Sequence, residues 1–243
     1  MRDAPVALGV TLGPLGTAAE GMALAAAWGL AAVQFDAADP NLRPRELSES
    51  ARRDLSASLR RRGLVASGID CFVPVERFGQ ASRVERSIDA VLGCLTLAET
   101  LGRVPVCVHL PAEGSAAQSL LHEADRRGVP LVDFTRNGAR TCVGLDPAAT
   151  LAAGEDPVAE VHRSAGRVGA ARVVDLLASG MRGPIGEPAG SRLDALSWRL
   201  ALEMGGFRGV PVIDVRQWTQ PHQAVRATID RWLALLPTAG AAS

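Results

Sequence analysis

Seven short apolar runs in this chain end on a polar side chain: Asp36, Asp70, His109, Asp133, Asp146, Asp175 and Asp214. Carboxylates and an imidazole are the groups of proton transfer, and carboxylates also bind hard metal ions. If the run ends converge, the carboxylates repel one another and need protons, a cation or arginine partners to coexist. A divalent cation with oxygen ligands is the simplest solution, and Mg²⁺ or Mn²⁺ suits carboxylates better than Zn²⁺. Against chemistry stands the ordinary task of Asp after a strand, which is to cap the next helix or open a turn. Asp36 and Asp146 have that option, because Asp39-Pro40 and Pro147 follow them closely. His109 is the one histidine at a run end, which favours a functional role. His122, His162 and His222 fall on helical segments and read as surface residues. Arg182, in MRGPIGEPAG, offers a planar fork of donors to an anionic or hydroxyl-rich ligand, from a loop constrained by Gly and Pro.

The elements that must carry these groups alternate along the chain. Apolar runs over Val6–Leu12, Leu30–Phe35, Leu64–Ile69, Val104–Val108, Val129–Val132, Cys142–Leu145, Ala170–Val174 and Val210–Ile213 read as buried strands. Between them lie amphipathic segments. Leu47, Ala51, Leu55 and Leu59 form one stripe in Pro44–Arg62, with Pro44 suited to the first turn and Gly63 to the end. Arg83–Leu101 stops at Gly102. Ser115 can cap a helix that closes at Gly128, and Asp156-Pro157 opens another. Leu193–Met204 follows, and Val225, Ile229, Trp232 and Leu236 are spaced for a last helix over Pro221–Leu236. Eight strand–helix units imply a parallel sheet closed into a (β/α)8 TIM barrel, spanning residues 1–243 as one domain. No G-x-G-x-x-G follows the first run, which argues against an open dinucleotide-binding sheet. In a barrel the strand ends share one face, so the seven polar groups would share one pocket.

Composition excludes several functions. All 26 basic residues are Arg, so Schiff-base, pyridoxal and Walker-type phosphate chemistry, which need Lys, are ruled out. A formal net charge of zero without a basic block argues against a nucleic-acid partner. No stretch has the apolar length of a membrane span, and the N-terminal residues show no secretory pattern, so a cytoplasmic protein is expected. Cys71, Cys94, Cys107 and Cys142 lack C-x-x-C spacing and read as structural thiols.

The chain resembles the xylose isomerase-like barrel superfamily of sugar phosphate isomerases and epimerases, which also includes endonuclease IV-type repair nucleases. The resemblance runs over nearly the whole chain. It rests, in order, on GLAAVQFDA, GLVASGID, RVPVCVHLP, VGLDPAATLAAGEDP, ARVVDLLASGMRGPIG and GFRGVPVIDVRQW. It implies a metal held after strands five to eight by Glu, Asp, His and Glu. Asp133, Asp146 and Asp214 stand at the first, second and fourth of those positions, and Arg172 stands where the His is expected. The H-x-x-D pattern reads Arg172-Val-Val-Asp175, and D-x-x-H reads Asp146-Pro-Ala-Ala149. Arg182-Gly-Pro-Ile-Gly186 resembles the R-x-x-x-G that contacts sugar oxygens.

The implied activity is isomerisation or epimerisation of a sugar or sugar phosphate. Asp133 and Asp214 would be both ligands and acid/base pair, and Asp146 a further ligand of Mn²⁺ or Mg²⁺. His109, Arg182, Asp175 and Asp70 would hold substrate. Arg172 puts a permanent cation in place of a ligand and could instead neutralise Asp133 or Asp146, leaving a pocket without metal. The other reading is an inactive relative that serves as a sugar-binding or interaction protein. A nuclease would need a His-rich trinuclear zinc cluster, which one run-end His cannot supply. The expected partner is a small sugar-like molecule, with no nucleic acid or membrane; a homo-oligomer stays open.

Overall fold

The computed structural model describes residues 6–135, 142–188 and 190–235. Eight strands pair in parallel and close: β1 Val6–Thr11, β2 Leu30–Asp36, β3 Val65–Cys71, β4 Val106–Val108, β5 Leu131–Asp133, β6 Cys142–Leu145, β7 Val168–Val173 and, after a small hairpin, β10 Val212–Ile213. The hairpin is antiparallel, with β8 Asp175–Leu176 against β9 Arg182–Gly183. β10 pairs with both β7 and β1, so no edge is left open. The helices are α1 Ala18–Ala27, α2 Glu49–Arg62, α3 Val84–Thr100, α4 Ser115–Arg127, α5 Pro147–Ala152, α6 Pro157–Arg163, α7 Ala195–Met204 and α8 Pro221–Ala234. This is the expected (β/α)8 TIM barrel. Leu236, expected in the last helix, lies outside the described residues.

Strand alternation splits the core in two. Val106 and Val108 of β4 join the large apolar shell between strands and helices, whereas Cys107 belongs to a small inner cluster with Val132 and Ala170. The barrel lumen is correspondingly polar: Gln34, Asp70 and Arg172 are buried there at 1%, 1% and 0% exposure. Close approaches make the room. A Cβ on Gly68 would stand 2.8 Å from the Pro105 carbonyl and 3.1 Å from the Gln34 amide, and one on Gly144 would overlap the Phe134 ring.

The structure corrects several local expectations. Pro44 does not open α2. It starts a separate 3-10 turn, Pro44–Glu46, because Ser48 takes the N-cap and accepts the Ala51 N–H at 3.1 Å. Ser115 does not cap α4: Gly114, at φ 123°, holds the cap position, and Ser115 is the first helical residue. Gly63 and Gly128 do terminate their helices in the left-handed conformation. Asp156 caps α6 through the Val158 N–H at 2.9 Å. The seventh strand ends before Asp175, which begins the hairpin instead. His122, His162 and His222 are exposed, and all four cysteines are free thiols. No described helix is long and apolar enough to cross a membrane.

Candidate active site

Register brings the run-end groups together. Asp36 pairs with Asp70, Asp70 with Cys107, Val108 with Asp133, and Val212 with Arg172 around the C-terminal mouth of the barrel. The central feature is a chain of alternating charges. Asp146 accepts from Arg182 at 2.9 Å, and Arg182 also reaches Asp214 at 2.9 Å. Asp214 is gripped through both oxygens by Arg216, at 2.7 and 2.6 Å. Arg216 extends to Asp70 at 3.4 Å, and Arg172 closes the chain on Asp70. Three carboxylates and three guanidinium groups therefore cancel. Asp214 is fully buried and Asp70 is 1% exposed, while Arg182 and Arg216 keep side-chain exposures of 18% and 26%.

Burial dictates the pairing, since an unpaired charge in the lumen would cost several kcal/mol. For Asp214, burial alone would raise the carboxyl, but the Arg216 hydrogen bonds and the charges of Arg216, Arg172 and Arg182 hold it far below the ordinary carboxylate range. Arg216 is raised in turn: burial opposes its charge, and Asp214 and Asp70 more than offset that. Gln34 completes the Asp70 shell, donating at 2.8 Å, and also contacts the Cys107 sulfur at 3.3 Å. Burial pushes the Cys107 thiol up to about 12, so it stays protonated and inert. The Nε and Nη1 atoms of Arg172 are buried without a hydrogen-bond partner among the described residues; the Phe134 ring lies 5.1 Å from its guanidinium carbon.

Each expected site residue now has a place. His109 sits half-buried at the mouth, stacked on Phe72 at 4.6 Å, while Arg216 packs over the same ring at 4.9 Å. Burial pushes the His109 imidazole below its ordinary 6.5, ahead of the opposing pull of Asp133. Asp133 is turned to its own loop: it accepts from the Thr135 N–H at 2.8 Å and hydroxyl at 2.7 Å, and from the Leu110 N–H at 3.4 Å. Asp146 also caps α5 through the Ala149 N–H at 3.1 Å. Two expected substrate contacts, Asp70 and Asp175, are engaged by partners within the protein. Asp70 is consumed by Arg172, Arg216 and Gln34. Asp175, fully buried, accepts from the Ser191 hydroxyl and the N–H groups of Arg192 (3.2 Å) and Leu193 (2.9 Å), so it ties the following loop to the barrel end.

The expected ligand set of Asp133, Asp146 and Asp214 is not assembled. Asp146 and Asp214 share one guanidinium, and no group of three or more metal-binding side chains occurs among the described residues. The residues present do not fit a divalent cation: Arg182 and Arg216 already neutralise Asp146 and Asp214, and Asp133 is turned to its own loop. Arg172 neutralises Asp70 rather than Asp133 or Asp146.

Sequence reasoning missed Gln34, Phe72 and Arg216. Gln34 was signalled by a single amide inside the apolar run Leu30–Phe35. Arg216 lies two residues beyond a strand-end Asp, and Phe72 is one of only five Phe in a chain without Tyr.

No protein-family model matches the chain, and no curated sequence does. Solved structures do match. A xylose isomerase domain protein from Planctomyces limnophilus superposes with a TM-score of 0.72 at 16% identity, over 94% of this chain and 96% of that one. A D-allulose 3-epimerase from Methylomonas sp. gives 0.69 at 14% identity over 94% and 97%. A sugar phosphate isomerase/epimerase from Parabacteroides distasonis gives 0.68 at 13% identity over 97% and 96%. At these identities the likeness establishes the fold, and function must be argued from the site.

Proposed function

We propose that the chain is an isomerase or epimerase acting beside the carbonyl of a small sugar-like substrate, with arginine in the electrophilic role that its resemblance would assign to a metal. The observation that carries this reading is the charge-balanced chain from Asp146 to Arg172, with Arg182 and Arg216 left partly open to the mouth beside His109. A substrate carbonyl oxygen that accepts from Arg182 or Arg216 is polarised by a fixed positive charge. His109, neutral at pH 7 because its pKa is lowered, takes the proton from the adjacent carbon. The C–H electron pair becomes the C=C bond of an enediol, and negative charge moves onto the oxygen held by arginine. The imidazolium, favoured by the neighbouring charge of Asp133, then returns the proton to the other carbon or the other face. Asp214 stays ionised and holds Arg182 and Arg216 in place, which reassigns it from proton carrier to positioning residue.

The test is solvent exchange. Incubating the protein with D-fructose, D-psicose or D-tagatose in D₂O and following α-carbon deuteration by NMR detects proton abstraction even where isomers interconvert. Exchange that survives EDTA and is lost in His109→Gln is the expected result. Exchange that requires Mn²⁺ would overturn the arginine role. Binding of these sugars with no exchange at all would leave a sugar-binding barrel without turnover.

A further inference from the structure

A second concentration of arginine lies outside the barrel mouth, in a cavity of ≈ 800 Å³ between the loops after β2 and β3 and the first turns of α3. Arg43, Arg45, Arg77, Arg83 and Arg86 line it, and no Asp or Glu does. Among the described residues Arg43 and Arg45 pair only with Glu46, at 3.4 and 3.7 Å, long for ion pairs and on exposed side chains. Arg77, Arg83 and Arg86 have no side-chain hydrogen bond or ion pair among the described residues. Ser82 adds a hydroxyl to the lining. In a chain of zero formal net charge this is a local excess, not a reflection of overall basicity.

Packing holds the arrangement in place. A Cβ on Gly93 of α3 would stand 2.8 Å from the Arg45 backbone, so the 3-10 turn carrying Arg45 is pressed directly onto the helix that carries Arg86. Arg43 has φ 28°, an uncommon conformation for a side-chain-bearing residue. Guanidinium groups on opposite walls of one cavity repel each other, and an anion between them removes that repulsion. The planar fork of arginine matches the oxygens of phosphate, and a cavity of this volume is in the range that holds a small molecule.

We propose that this cavity binds the phosphate group of a small phosphorylated molecule, at a site separate from the barrel mouth. None of Asp70, Asp214, Arg172, Arg182 or Arg216 lines it, so the inference stands whether or not the proposed isomerase activity does.

The experiment is calorimetric titration of the purified protein with glycerol 3-phosphate and, separately, inorganic phosphate, at ionic strength fixed with chloride. Saturable binding is expected, tighter for the ester. The triple variant Arg77→Ala, Arg83→Ala, Arg86→Ala should weaken it about tenfold or more, as loss of charge-assisted hydrogen bonds implies. Its side chains hold no hydrogen-bond or ion-pair partner among the described residues, so folding should survive; the single variant Arg86→Glu gives an independent reading through charge reversal. Equal affinity for the two anions would overturn the ester and leave a plain phosphate site. Binding unchanged in both variants, or lost instead in Arg182→Ala, would overturn the location. Heats no larger than those from added chloride, or tighter retention of a single-stranded oligonucleotide, would overturn the small-ligand site altogether.

Discussion

Two arginine clusters lie at the same end of this molecule and obey opposite rules. At the barrel mouth Arg172, Arg182 and Arg216 alternate with Asp70, Asp214 and Asp146 until the charges cancel. In the outer cavity five arginines meet no lining carboxylate. The side chain is the same, and the surroundings differ. In the lumen a charge loses its water and must find a partner inside the protein. On the rim, water and salt screen neighbouring charges, so arginines can stand together and wait for a ligand. A guanidinium count therefore says little until burial is known.

The sharpest way to break the inner cluster is Arg172→Met. It leaves Asp70 buried with its main partner gone, and a loss of about 3–5 kcal/mol in urea unfolding is expected. The double variant Arg172→Met, Asp70→Leu should recover much of that loss, because removing both charges removes the desolvation penalty. No recovery would mean that packing, not charge, is what Arg172 supplies.

His109→Gln should lower α-carbon exchange by about 10²-fold or more, the typical worth of a positioned general base. It should leave the urea midpoint little changed. The imidazole also sets a pH limb. Its folded pKa lies below the ordinary 6.5, so the folded state binds fewer protons than the unfolded one. Its contribution to stability is present above pH 6.5 and is lost as pH falls through the lowered value. Thermal unfolding scanned below pH 6.5 should show this slope in the wild type and a flatter one in His109→Gln.

Asp175→Ala would sharpen the comparison from the loop side. It leaves buried N–H groups of the 191–193 segment without an acceptor, and a cost of about 1–3 kcal/mol is expected. At the small end, Arg77→Ala in the outer cavity should change stability by no more than about 0.5 kcal/mol, since it breaks no side-chain hydrogen bond or ion pair among the described residues. A larger loss would show that the outer arginines are structural after all.

The barrel was legible in the chain because its signals are local and repeated. Apolar runs four to seven residues long, each followed by an amphipathic segment, dictate strand and helix whatever lies across the molecule. Gly63 and Gly128 marked helix ends for the same reason: a left-handed residue is a property of its own backbone. The convergence of Asp36, Asp70, His109, Asp133, Asp146 and Asp214 on one face follows from barrel closure alone. Local competition was less visible, as at Pro44, where Ser48, four residues on, is the stronger helix start.

The sequence by itself thus determined the architecture, the mouth and the inventory of charges. Only the tertiary structure decided the pairing. Whether Arg172 meets Asp70 or Asp133 depends on strand register and on which face of the pleat each side chain takes, to within one residue. Arg216 and Arg43 look alike in the chain. One is driven by desolvation to grip Asp214 with two nitrogens, and the other stands in water beside four more of its kind.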